Sequence, residues 1–332
     1  MTRHFFEKDF VMHRKIKNIY KLTLLLSIPI FYTWSYYLIS NYTMGDQEKY
    51  RAFYLSLVGV ELSEIPILQF RFTGSWEPLY GLIMWSGSNV GVDKDVYISF
   101  FNCILYIALF VFLSKHRASP LFIVLMFLNF YFIVLLTGAE RLKFAYLALL
   151  FVALVKLDRS KAVLLTSSIL SHFSALLIWL GLLARRLAYV RILRRVNRKV
   201  FGKRTLWLFL AVILGVFVSI LFGDTILYKI QHYWLSGSVA SLLNVSILFI
   251  LTFLLFKKRS PMLLALTFCS ILIFLIGPER MNMIAVTIFI YQVIIEGKTN
   301  NPAVLTLMLY FAVKSVPFVE KVLVFGNGFA NI

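Results

Sequence analysis

Charge is scarce in this chain, and negative charge scarcest of all. Only 15% of the 332 residues are Asp, Glu, Lys or Arg, against about 25% in an ordinary soluble domain. That supply is too small to cover a water-exposed surface. Cysteine is nearly absent: Cys103 and Cys269 both sit inside apolar runs, which argues against a disulfide framework. The 5 histidines are scattered, with no His-Glu-x-x-His and no cysteine pair, so no transition-metal site is expected. No Gly-x-x-x-x-Gly-Lys-Ser/Thr loop occurs either, so no nucleotide-driven pump is indicated and no cofactor is expected.

What the chain does contain is apolar surface. Hydrophobic residues make up 60%, the mean hydropathy is +0.83, and there are 32 Phe, 17 Tyr and 6 Trp. Many of the aromatic residues flank apolar runs, as amphipathic rings do at a headgroup layer. The runs fall near 20–40, 96–114, 119–137, 141–156, 205–222, 238–256, 260–277, 281–296 and 302–319. Each approaches the roughly 20 residues a span needs, and lipid permits only helices there. The fold class expected is therefore all-α: one polytopic integral membrane domain over 1–332, with about 9–11 transmembrane helices. The first run is too long for a signal peptide and lacks its small-residue cleavage pattern, so it is expected to stay as an anchor.

Lys and Arg set the orientation. With the N-terminus (1–19) cytoplasmic and Lys21 counted at its edge, 24 of the 34 basic residues fall in cytoplasmic segments, nine of them in 185–204. That is the positive-inside pattern, and it accounts for the +19 net charge without nucleic acid. Segment 162–184 breaks the alternation, because basic stretches flank it on both sides. A re-entrant pair of half-helices turning near Ser171-His172-Phe173-Ser174 resolves this where the broken backbone is buried or lines a wet cavity. A simple span with one basic loop outside is the alternative.

The longest expected outer segment, 41–95, is too apolar for a loose linker. Tyr54–Phe70 and Trp76–Trp85 read as amphipathic helices that roof a cavity. On the same face, Gly138-Ala139-Glu140-Arg141 and Gly277-Pro278-Glu279-Arg280 share the pattern Gly-x-Glu-Arg. Each places an arginine at the start of an inward helix, where free N–H groups and the dipole favour anions. A guanidinium adds a fork matched to phosphate oxygens, and two such sites suit a diphosphate. Anchoring at the headgroups is the plainer explanation for either site alone; Lys143, within the first turn of its helix, adds a third positive charge or equally snorkels to lipid phosphate.

His172, between Ser171 and Ser174, is a candidate to orient a carboxylate or bind a sugar hydroxyl; the plainer role is a hydrogen-bonded interior histidine. His232 and Tyr233, in an aromatic outer loop, suit sugar stacking or the interface belt. Asp93-Lys94-Asp95 has a metal-binding spacing, yet a lysine between two acids before a span reads as an interfacial cap.

The order Gly45-Asp46 with Tyr50, Trp76-Glu77-Pro78-Leu79-Tyr80, Glu140-Arg141, Ser171-His172-Phe173-Ser174-Ala175-Leu176 and Glu279-Arg280 resembles the EpsG-like and Wzy-type polysaccharide polymerases. The resemblance spans about 20–295. It implies glycosyl transfer at the outer side of the bacterial cytoplasmic (inner) membrane, from one undecaprenyl-diphosphate-linked glycan to another, making O-antigen, capsule or exopolysaccharide. On that implication Arg141, Arg280 and Lys143 hold the diphosphate. Glu77 or Asp46 takes the acceptor proton, with His172 assisting and Tyr80, His232 and Tyr233 contacting glycan. A chain-length regulator and a flippase are the implied partners, besides the bilayer. An O-antigen ligase, a lipid-linked glycan flippase or other transporter, and a membrane acyltransferase remain alternatives.

Overall fold

The computed structural model describes residues 2–178, 242–257 and 259–330. Among them the regular structure is helical throughout, with no strand. The helices are α1 (Thr2–Asn41), α2 (Asp46–Ser56), α3 (Ile65–Thr73), α4 (Pro78–Asn89), α5 (Lys94–Lys115), α6 (Pro120–Phe127), α7 (Phe130–Thr137), α8 (Glu140–Leu154), α9 (Asp158–Ser171), α10 (Leu243–Leu255), α11 (Ser260–Ile276), α12 (Pro278–Ile295) and α13 (Pro302–Phe325). Two compact units result: Met1–Ala175 with Ile294–Ile332, and Leu176–Val293. The basic segment 185–204, the run 205–222, the later part of 162–184, and His232 with Tyr233 lie outside the described residues.

Three described helices are long and apolar enough to cross a bilayer: Tyr20–Asn41, Lys94–Lys115 and Pro302–Phe325, of 22, 22 and 24 residues. α6 and α7 make a fourth if read as one span bent by 45°. The bend falls at Asn129, whose side chain leaves the helical ladder to cap α7 by accepting the Tyr131 amide at 2.9 Å. α8 has 15 residues and α10 has 13. At 1.5 Å per residue these fall short of a hydrocarbon core about 30 Å thick.

Hydrogen bonds in the first unit sort its helix termini into two ends. At one, the Thr43 and Met44 amides donate to the Gly326 carbonyl at 3.0 and 2.9 Å, bringing the end of α1 beside the end of α13. Arg51 of α2 joins them, donating to the Tyr42 and Ile39 carbonyls at 2.6 and 2.8 Å and pairing with Asp95 of α5 at 2.8 Å. At the other end, the Ser119 amide donates to Thr299 Oγ1 at 3.2 Å and its hydroxyl to the Thr299 carbonyl at 3.3 Å. α6 and α13 thus start together. The interior between is aromatic: Tyr106 stacks on Phe31 at 4.3 Å and meets Phe127 at 4.5 Å, while its hydroxyl reaches Ser27 at 2.6 Å. Such rings combine large apolar burial with favourable ring geometry.

Segment 41–95 is a folded cap, and its helices differ from the expected ones. Tyr54–Phe70 is two helices, not one. α2 stops at Ser56, Gly59 takes φ +70 and is pinned through its amide to Asn89 Oδ1 at 2.9 Å, and Pro66 restarts the helix in the first turn of α3. Only glycine takes that backbone conformation without strain. The second helix starts at Pro78, which fits a first turn because its missing N–H is not needed there, and leaves Trp76 and Glu77 outside. The cap does not lie alone on a surface. Phe53, Leu57, Tyr80 and Met84 are fully buried against Ile39 of α1, Ile98 of α5 and Phe144 of α8. Each large apolar side chain so enclosed contributes about 1.5–3 kcal/mol. Gly81 lets α4 approach α3 closely: a Cβ there would stand 2.5 Å from Gln69 Oε1.

In the second unit α10 packs against α11. Gly277 at φ +107 turns the chain between α11 and α12, and Pro278 starts α12. Leu248, Leu266, Ile273, Ile284 and Phe289 are enclosed, with Phe256 and Phe289 edge to face at 5.8 Å.

Candidate functional site

The site is built around the first turn of α8. Successive positions on a helix point about a third of a turn apart, so Glu140 and Lys143, three residues apart, share one side of the helix and Arg141 points away from it. Each meets a different part of the first unit.

Glu140 is fully buried. Its Oε1 accepts from Lys94 Nζ at 2.6 Å and from Gln47 Nε2 at 2.8 Å, and its Oε2 accepts from the Tyr80 hydroxyl at 3.2 Å. Lys94 also donates to Gln47 Oε1 at 2.8 Å, and Gln47 donates to the Thr137 carbonyl. One carboxylate therefore ties α2, α4, α5 and α8 together. Losing one partner of such a buried pair costs about 3–5 kcal/mol, because the other charge stays behind unpaired.

Arg141 turns the other way. Its Nη1 pairs with Glu77 Oε2 at 2.9 Å, and its Nε donates to the Tyr50 hydroxyl at 3.4 Å. Glu77 is 3% exposed. Its other oxygen, Oε1, lies 3.4 Å from His172 Nδ1. His172 follows the end of α9 in extended backbone, φ −162 and ψ 122, and the Ser174 amide also approaches Nδ1 at 3.1 Å. The two contacts require opposite states. A lone pair on Nδ1 serves the amide, and a proton on Nδ1 serves the carboxylate.

Lys143 is fully buried and donates to the Leu136 carbonyl at 2.9 Å. That carbonyl also accepts from Asn102 Nδ2 at 3.1 Å. Two phenols line the same region as neutral groups. Burial raises the Tyr50 hydroxyl above its ordinary range against the pull of Arg141. Burial and the Glu140 charge raise that of Tyr80 well above it.

Five candidates from distant parts of the chain thus lie in one unit: Glu77, Tyr80, Arg141, Lys143 and His172. No family model, curated protein or solved structure matches the chain. The site is read from its own geometry.

Asp46 does not join the five. It opens α2 at the surface, and its neighbour Gln47 is the residue that turns inward. Tyr80 is enclosed by Tyr50, Phe53 and Phe144 at 5.9–6.0 Å, so it offers no open face to a sugar; its hydroxyl holds Glu140 instead. Arg280 belongs to the second unit, half-buried in the first turn of α12. The two Gly-x-Glu-Arg turns also differ, since Gly277 needs φ +107 whereas Gly138 has φ −91.

Gln47 and Lys94 are the residues the sequence reading passed over. Asp93 does cap α5, its Oδ1 accepting the Asp95 and Val96 amides at 2.9 and 3.1 Å, and Asp95 pairs with Arg51. Lys94, between them, points inward. Among the described residues no cluster of His, Cys, Asp and Glu is placed to hold a metal ion.

Lys94 and Arg141 balance Glu140 and Glu77, and Lys143 is a further buried amine with only a carbonyl contact beside it. Holding a charge on it there is costly and favours an anionic partner. The guanidinium, with carboxylate on one arm, suits a ligand that can displace that carboxylate, as a phosphate group does.

Proposed function

We propose that this chain is a polytopic membrane glycosyltransferase of the bacterial cytoplasmic membrane, N-terminus inside, that polymerises undecaprenyl-diphosphate-linked oligosaccharide repeat units on the outer face. The observation that carries this reading is the buried Arg141–Glu77–His172 set. Glu77, Arg141 and His172 are among the residues on which the resemblance to EpsG-like and Wzy-type polymerases rests.

The chemistry follows from an exchange of partners. At rest Arg141 neutralises Glu77. An arriving diphosphate takes the guanidinium, with Lys143 adding charge, and so releases the Glu77 carboxylate. The acceptor hydroxyl oxygen then bonds to the anomeric carbon of the donor sugar as the bond from that carbon to the diphosphate oxygen breaks. The electron pair leaves on the diphosphate, where positive charge is worth most, and the hydroxyl proton passes to Glu77. His172 steadies the carboxylate through Nδ1. In this reading the ends of α1, α5, α7, α8 and α13 that bear the site face outward.

The test is a polymerisation assay with the full chain in nanodiscs and native undecaprenyl-diphosphate repeat units. A ladder of products that disappears in folded Arg141→Ala and Glu77→Gln variants supports the reading. A second reading, a transporter of lipid-linked glycan, draws on Lys314 near the middle of α13, whose Nζ lies 4.6 Å from the centre of the Phe130 ring. Mid-span charge is the mark of a transport path. Movement of the lipid-linked unit across a vesicle bilayer, with no ladder, sinks the polymerase.

A further inference from the structure

Lys94 is the buried charge for which the proposed reaction has no use. It opens α5 and is 6% exposed, and its ammonium donates to Glu140 at 2.6 Å and to Gln47 at 2.8 Å. Glu140 is the residue next to Arg141 in the chain, and the Lys143 ammonium lies within its electrostatic reach. In the proposed reaction Lys143 adds positive charge for a diphosphate, and the buried Glu140 carboxylate stands one helical turn from it. Unmasked, that carboxylate would compete with the ligand for Lys143, and burial would strengthen the competition.

We infer that Lys94 is a specificity-determining residue that masks the Glu140 carboxylate, leaving Lys143 for a diphosphate group. The inference rests on the anion-binding reading above. It separates two tasks that one salt bridge would otherwise blur. A bridge needed only for folding is worse when both partners are removed than when neither is. A mask is needed only while the charge it hides is present. Gln47 belongs to the mask, since it holds both ends: its Oε1 accepts from Lys94 and its Nε2 donates to Glu140.

Titration calorimetry with inorganic diphosphate on the purified full chain in detergent tests this, with thermal midpoints recorded for each protein. Lys94→Met is expected to weaken binding about tenfold or more, the worth of a charged hydrogen bond, as Glu140 turns to Lys143. Adding Glu140→Gln to that variant is expected to restore binding to near the wild-type value, although the salt bridge is gone. Should Lys94→Met alone not fold, the double variant carries the test, because it lacks both charges and is still expected to bind. A double variant that binds as weakly as the single one, or a Lys94→Met protein that binds as the wild type does, overturns the masking role alone. A wild-type chain that binds no diphosphate overturns both the masking role and the anion-binding reading beneath it.

Discussion

Arg141 and Glu77, 64 residues apart in the chain, meet as an ion pair at 2.9 Å with little exposure of either side chain. The proposed general base and the proposed diphosphate ligand are thus partners before any substrate arrives. In this state each holds the other idle.

That pairing makes the two residues separable by experiment. Glu77→Gln removes the base, so turnover should fall by about a hundredfold or more. It also frees Arg141, so diphosphate binding should hold or tighten. Arg141→Ala should abolish both binding and turnover. Lysine is not expected to substitute for Arg141, because a point charge lacks the planar fork. Parallel calorimetry and polymerisation assays decide the matter, and equal loss of diphosphate affinity in Glu77→Gln and Arg141→Ala would refute the exchange of partners.

Tyr80→Phe separates a role in holding the site from a role in contacting glycan. The ring is packed on all sides and only its hydroxyl is engaged, on Glu140 at 3.2 Å. Phenylalanine keeps the packing and drops one hydrogen bond to a buried charge, a loss of about 1.5–3 kcal/mol. The thermal midpoint should fall while KM for the lipid-linked acceptor stays unchanged. A raised KM at wild-type stability would instead return Tyr80 to the glycan.

How far the site was legible in the sequence depended on what kind of signal each residue leaves. Glu77, Arg141 and His172 stand out because ionisable groups are rare here and each sits at a helix boundary, before Pro78, in the first turn of α8 and just past the end of α9. Lys94 was hidden by its neighbours: two acids around a lysine look like a surface cap, and only the packed helix shows the cap facing out and the lysine in. Gln47 leaves no signal, since an uncharged amide one residue from Asp46 draws no attention. The long apolar helices were legible by length and composition. The break inside 54–70 was not, because apolar periodicity runs across Gly59 and Pro66 without marking the turn.

Stability should show the coupling of Lys94 and Glu140 directly. Glu140→Gln leaves Lys94 buried without its counter-charge, and Lys94→Met does the same to Glu140, at about 3–5 kcal/mol each. The double variant should cost much less than the two together, since no unpaired charge remains. Denaturation of all four proteins in one detergent closes the cycle. Additive losses would mean that the two groups do not interact in the folded chain, against the 2.6 Å contact.

The two Gly-x-Glu-Arg turns should respond differently to the same substitution. Gly277 combines φ 107 with ψ 142, a region open to glycine and costly for any residue with a Cβ, by about 1–3 kcal/mol. Gly138 has ordinary helical angles, φ −91 and ψ −22, and a Cβ there meets the Tyr42 hydroxyl at 3.5 Å, a normal contact. Gly277→Ala should therefore lower the thermal midpoint by several degrees, while Gly138→Ala leaves it unchanged or slightly raised by restricting the unfolded chain. Equal destabilisation at both positions would mean that the shared sequence pattern reflects a shared turn after all, and that the difference in backbone angles is not what glycine is there to provide.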